Sequence, residues 1–183
     1  MVITCQGGNY FKFQAGPLTL LVDPENQRSF KGAQIILNTA KPAPAGDGEA
    51  STEPLWIEHQ GEYETKGVII KGWSAGNDGK TERTVYRLNF DEVDIVLLGG
   101  IREELDPKII HHLKGTQVVV APAGGKPSLS QAAVAKIVKE INPSLIIPSL
   151  YKDIKPFLKE FRKTACETET KLVFKAKDLK PAA

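Results

Sequence analysis

A chain of 183 residues with 41% hydrophobic and 25% charged side chains has the size and composition of one globular domain, able to bury a core without a disulfide or structural metal. A net charge of +2 is too small to mark a nucleic-acid or membrane partner, and no apolar run approaches the ~18 residues of a membrane span. Cys5 and Cys166 belong to no C-x-x-C pair, which removes zinc knuckles and dithiol motifs, and the N-terminus lacks a basic-then-apolar leader, so a cytoplasmic protein is expected.

Val2 to Cys5, Tyr10 to Phe13 and Leu18 to Val22 read as short strands, punctuated by Gly7-Gly8-Asn9 and Ala15-Gly16-Pro17. Phe11 and Phe13 alternate with Lys12 and Gln14, as in a half-buried antiparallel strand. Asp23-Pro24 ends the third run. The heptad Lys31-Gly32-Ala33-Gln34-Ile35-Ile36-Leu37 returns almost unchanged as Lys114-Gly115-Thr116-Gln117-Val118-Val119-Val120, which suggests two halves on one plan. Such unbroken apolar strands, with Asp91 to Leu98 and Pro143 to Ile147, are buried on both faces and need covering helices.

From Lys41 to Glu53 the composition turns to Pro, Ala, Gly, Asp and Glu, as in an exposed loop. Leu55 to Ile57 and Tyr63 to Lys71 read as strands, the second bent at Gly67. Asn77-Asp78-Gly79-Lys80 is a hairpin turn leading into a return strand, Arg83 to Phe90. Three helices follow. Asp106 with Pro107 opens the first, before Gly115. Ser128 with Gln131 forms a capping box for the second, which ends at Asn142-Pro143. Asp153 opens the third, with Ile154, Phe157, Leu158 and Phe161 at helical spacing. A last strand, Lys171 to Phe174, precedes a basic tail. The expected organisation is one domain over residues 1–175 and a tail over 176–183, with two mixed sheets and helices outside both.

Several segments resemble, in order, the small lactonase-like, zinc-dependent hydrolase branch of the metallo-β-lactamase superfamily. They are Ile3-Thr4-Cys5-Gln6-Gly7-Gly8-Asn9-Tyr10-Phe11, Leu21-Val22-Asp23-Pro24, Gln60-Gly61-Glu62-Tyr63-Glu64, Leu97-Leu98-Gly99-Gly100, Pro122-Ala123-Gly124-Gly125 and Ile147-Pro148-Ser149-Leu150-Tyr151. The resemblance spans Val2 to about Tyr151. It implies an α/β (α+β) fold, a four-layer αββα sandwich of two mixed β-sheets flanked by helices.

It also implies a two-metal cleft, and there the chain departs from the family. The loop that carries His-x-His-x-Asp-His reads Ala40-Lys41-Pro42-Ala43-Pro44-Ala45. The opening Gly-His is Gly7-Gly8. The bridging aspartate falls on Gly100, the late histidine on Leu150, and the histidine near Ala75-Gly76-Asn77 is missing. Zinc takes imidazole, thiolate or carboxylate donors, which Ala, Pro, Gly and Leu do not offer. Without the ion there is no activated water and no Lewis acid, so no metal, cofactor or catalytic residue is expected. The vestigial cleft implied by the resemblance comprises Gly8, Asn9, Asp23, Thr39, Ala40, Lys41, Pro42, His59, Glu62, Gly100, Gly124, Leu150 and Tyr151.

Other groups have bland readings beside functional ones. His111 and His112 diverge on one helix and suit its surface. Asp23, His59 and Glu62 are acid/base candidates if the fold gathers them, although Asp23 beside Pro24 also suits a turn. Ser128 is explained by capping. Gly124-Gly125-Lys126 offers backbone N–H groups to an anion without phosphate-loop spacing. Trp56 and Trp73 suit core or rim packing. The expected function is a metal-free pseudo-hydrolase kept for binding or assembly. The alternatives are hydrolysis in a remnant cleft without zinc, and nucleic-acid binding through the basic stretches Lys152 to Lys163 and Lys171 to Lys180. No partner is named by these residues; a homodimer or another protein suits the exposed edges.

Overall fold

The computed structural model describes residues 1–25, 30, 32–42, 54–166 and 168–179. Most of the expected loop from Lys41 to Glu53 therefore lies outside the described residues, as do residues 180–183 of the tail.

The chain opens with three antiparallel strands, β1 (Val2–Gly7), β2 (Tyr10–Ala15) and β3 (Leu18–Val22). β4 (Ile35–Leu37) and β6 (Leu55–Ile57) extend this sheet in parallel, and β13 (Lys171–Val173) closes its other side against β1. The second sheet holds the hairpin β7 (Gly61–Thr65) and β8 (Val68–Asn77), then β9 (Thr81–Phe90), β10 (Val93–Leu97), β11 (Val118–Pro122) and β12 (Leu145–Ser149). The expected single strand from Tyr63 to Lys71 is instead a hairpin. Lys66 and Gly67, with φ of 50° and 78°, adopt the left-handed conformation that a tight two-residue turn needs.

Strand periodicity explains where the core sits. Phe11, Phe13, Leu20, Val22, Ile35 and Leu37 meet Ile70, Tyr86, Leu88 and Phe90 between the sheets. In β10 and β11 every residue is apolar except Asp94, because each face has its own core. Ile95, Leu97, Val118 and Val120 point between the sheets, whereas Val96, Val119 and Ala121 point outward. On that outer side lie α1 (Pro107–Leu113), α2 (Gln131–Ile141) and α3 (Lys155–Glu160), contributing Leu113, Val134, Val138 and Phe157.

The helix ends are set by local chemistry. Asp106 caps α1 by accepting from Lys108 N at 2.7 Å, with Pro107 at the first position. The cap of α2 is Ser130, whose Oγ accepts from Ala133 N at 3.2 Å, and not Ser128. The start is delayed because Leu129 N is already tied to Ile101 O at 2.8 Å. Gln131 accordingly makes no capping box; its Nε2 donates to Ala123 O at 3.0 Å. Asn142 ends α2 in the left-handed conformation, just before Pro143. Ile154 holds the cap position of α3, while Asp153 Oδ1 accepts from Lys155 N.

The repeated heptad is a repeated structure. Gln34 exchanges backbone bonds with Thr19 O and Leu55 N, and its Oε1 accepts from Thr19 N at 2.7 Å. Gln117 does the same with Asp94 O and Leu145 N, its Oε1 accepting from Asp94 N at 2.7 Å. Each glutamine splices a central parallel strand to both neighbours. At the C-terminus the described part of the tail is ordered against the core. Ala176–Asp178 forms a 3-10 turn, and Ala176 and Leu179 pack on the inter-sheet cluster.

Candidate functional site

Of the residues expected at the cleft, Gly8, Asn9, Asp23, Thr39, Gly100, Gly124, Leu150 and Tyr151 lie at neighbouring strand ends of the two sheets, whereas His59 and Glu62 do not join them. At the first sheet's end, Asp23 follows β3 with φ of 45°, and its N donates to Leu37 O at 2.9 Å. Its Oδ1 accepts from Thr39 N at 2.6 Å. Its Oδ2 accepts from Thr39 Oγ1 at 2.5 Å and from Asn9 Nδ2. Both carboxylate oxygens are therefore engaged. Burial raises the Asp23 pKa, against the downward pull of the Thr39 and Asn9 bonds. Thr39 is buried, and its carbonyl accepts from Thr84 N at 2.9 Å, which carries the chain from the first sheet to the second. Ala40, Lys41 and Pro42, expected in an exposed loop, instead form a short strand, β5 (Ala40–Pro42), antiparallel to β9. Its backbone groups have found partners there, which the proline- and alanine-rich composition did not signal.

The second sheet's end is apolar and close-packed. Leu150 N donates to Gly8 O at 3.2 Å, joining the two ends. A Cβ on Gly124 would lie 2.1 Å from Leu150 O, so only glycine lets these backbones approach. A Cβ on Gly100 would lie 3.6 Å from Leu150 Cδ1 and 3.8 Å from Ser128 Oγ. Gly99 is equally close to Thr39, whose Oγ1 would stand 2.5 Å from its Cβ.

The acid/base candidates are not gathered. The His59 ring nitrogen Nδ1 lies 2.9 Å from Glu82 Oε2, while Glu62 pairs with Lys71 at 3.1 Å on the exposed face of the hairpin. The His59 carbonyl accepts from both Tyr63 OH and Tyr86 OH, at 3.0 and 3.2 Å, which holds this segment to the second sheet. Burial raises the pKa of both tyrosines, so these hydroxyls stay protonated as donors. Lys41 sits opposite Glu82 in register but pairs with Glu58. Glu58 and Glu82 were missing from the sequence reading. No motif marks them, and only the pairing of β5 with β9 reveals their role.

His111 and His112 diverge on α1, with rings 6.1 Å apart and tilted by 68°. His112 stacks on Trp73 at 5.6 Å, and Trp56 meets Phe30 edge-on at 5.0 Å, so both tryptophans serve packing.

The residues at these strand ends do not fit a zinc ion. A structural or catalytic zinc needs three or four converging donors. Among the described residues no three His, Cys, Asp or Glu side chains converge on one point. The Asp23 carboxylate is already spent on three donors, and the Glu25 carboxylate beside Gly8 has no second and third ligand converging with it among the described residues. The orphaned buried atoms include Asn9 Oδ1 and Ser149 Oγ, an amide oxygen and a neutral hydroxyl, which suit water better than zinc.

Comparison with known proteins places this architecture. A family model for the beta-lactamase superfamily domain matches residues 2–149. Among solved structures, a candidate zinc-dependent hydrolase of the metallo-β-lactamase superfamily from Thermotoga maritima is 21% identical, with a TM-score of 0.69 over 86% of this chain and 84% of that one. The metallo-β-lactamase fold protein YhfI from Bacillus subtilis is 10% identical, with a TM-score of 0.65 over 89% of this chain and 92% of that one. Igni18, a metallo hydrolase from Ignicoccus hospitalis, is 12% identical, with a TM-score of 0.64 over 95% and 99%. No curated protein gave a significant match. Identities this low speak for the fold alone; the family model, spanning most of the chain, is what assigns it, and the chain belongs to the metallo-β-lactamase superfamily.

Proposed function

We propose that this chain is a metal-free, non-hydrolytic member of the superfamily, kept as a binding or assembly module. The observation that carries this reading is the filled donor site. Leu150 lies against Gly100 where two metal-binding side chains would converge in the family pattern, and Asp23 is consumed by Thr39 and Asn9. Without an ion there is no water of lowered pKa to attack a substrate and no Lewis acid to polarise it.

A hydrolase working through Asp23, His59 and Glu62 is less well supported, since each of these has a different partner. Nucleic-acid binding has no site-level observation in its favour. Metal analysis of protein purified without chelator tests the reading. Zinc, iron and manganese well below one equivalent per chain are expected. A stoichiometric metal that survives dialysis, together with metal-dependent hydrolysis of a lactone or phosphodiester, would overturn it.

A further inference from the structure

The loop after β12 is built at some cost. Leu150 has φ of 53°, a left-handed conformation that is unfavourable for a residue with a Cβ. The conformation is held by the Gly8 bond to Leu150 N and by the seating of Leu150 O on Gly124. It leaves two large apolar side chains in solvent, Leu150 at 38% and Tyr151 at 41% exposure. Strain and exposed apolar surface together mark sites used for contact.

A groove of about 860 Å³ adjoins them, lined by Arg102, Gly124, Lys126, Ser128 and Gln131 among others. It is continuous with the loop. Gly124 touches the backbone of Leu150 and Tyr151, and the Leu150 and Ser128 side chains both reach Gly100. The groove lining holds two cations and no carboxylate. The Arg102 guanidinium reaches Asp78 Oδ2 at 3.3 Å, but that same oxygen serves Arg83 at 3.1 Å. One carboxylate thus faces two guanidiniums, with exposed Lys126 beyond, so the groove lining itself is cationic, while the Glu25 and Glu103 carboxylates stand outside it, by Gly8 and Gly76.

We propose that this edge of the cleft docks an extended peptide segment of another protein, with an apolar side chain on Leu150 and Tyr151 and a carboxylate at Arg102 and Lys126. This deepens the binding reading above and rests on it. A half-exposed tyrosine supplies rigid contact area at low entropy cost, and an arginine supplies paired donors for a carboxylate. The cations alone would accept any small anion. The adjoining apolar pair is what selects a peptide.

Amide chemical-shift mapping with N-acetylated Asp-Phe-Glu-Leu-Asp tests this on the full chain. Two control peptides replace the acids by Lys or the apolar residues by Ser. The acidic–apolar peptide should move the amides of Gly124, Gly125, Gln131, Leu150 and Tyr151, and either replacement should abolish the shifts. Tyr151→Ala and Lys126→Glu, both at exposed positions, should each weaken binding by about tenfold or more while leaving the thermal unfolding midpoint unchanged. Absent shifts, shifts elsewhere, an equal response to the Lys peptide, or the same shifts from sodium sulfate alone would overturn the proposal. Metal content measured on the same sample keeps the two readings separate. A zinc-free protein that ignores the peptide refutes the docking site only, and a stoichiometric zinc refutes the metal-free reading.

Discussion

The two strand ends that meet at the cleft have been treated in opposite ways. The end of the first sheet is polar and fully engaged, with Asp23, Thr39 and Asn9 locked in one hydrogen-bonded cluster. The end of the second sheet is stripped to Gly100, Ala123, Gly124 and Leu150, and is held by close backbone approach. In this chain the buried Asp23 carboxylate organises three donors where the backbone passes from β3 and β4 towards the second sheet. Gly100, Gly124 and Leu150 bring no side-chain donor or acceptor that would need a partner there.

The contrast can be broken most forcefully at the polar end. Asp23→Ala orphans Thr39 N, Thr39 Oγ1 and Asn9 Nδ2, and should cost about 3–5 kcal/mol in urea unfolding. A loss below about 1 kcal/mol would mean that the cluster is not structural. At the apolar end, Gly124→Ala sets a methyl against a backbone oxygen that cannot rotate away, and should cost about 2–3 kcal/mol by the same measurement. Leu150→His, by contrast, places a donor at a partly exposed position and should change stability by less than about 1 kcal/mol. It should not confer zinc binding, because Gly8 and Gly100 still offer no partner donor.

A smaller effect compares the halves themselves. Gln34→Leu and Gln117→Leu each remove one acceptor from a strand-end N–H, so each should cost about 1 kcal/mol. Similar losses support a shared plan, and a loss in one half only breaks it. The last comparison is in pH. The Asp23 pKa is raised on folding, so between its unfolded value of about 3.9 and the folded one the native state holds the extra proton. Wild-type stability should fall through that window as pH rises and level off above the folded value. Asp23→Asn, which cannot ionise, should lack this decline in pH-dependent denaturation.

Much of the fold was legible because it follows from local rules. Alternating Phe11 and Phe13, the unbroken runs at β10 and β11, and the Asp106-Pro107 start each have a short-range cause. The Gln34 and Gln117 heptads were visible as a repeat, although their side-chain bonds to Thr19 N and Asp94 N were not. What escaped depends on tertiary register. Ser130 displaces Ser128 as a cap because Leu129 N is bound to Ile101 O, across a gap in sequence that no capping rule spans. Lys41 and Pro42 look like loop residues until β9 supplies the partner strand. Gly100 and Leu150 are visible in the sequence as residues that cannot ligate a metal, while their mutual packing is a fact of the folded chain.

The central claim is that these strand ends hold no metal. Its most direct test is a cobalt(II) titration of the dialysed protein, followed by visible absorption and equilibrium dialysis, alongside Asp23→Ala. The account predicts no saturable d–d band, no tight equivalent, and no difference between wild type and variant beyond stability. A saturable band with one or two tight equivalents per chain, lost in Asp23→Ala, would contradict it.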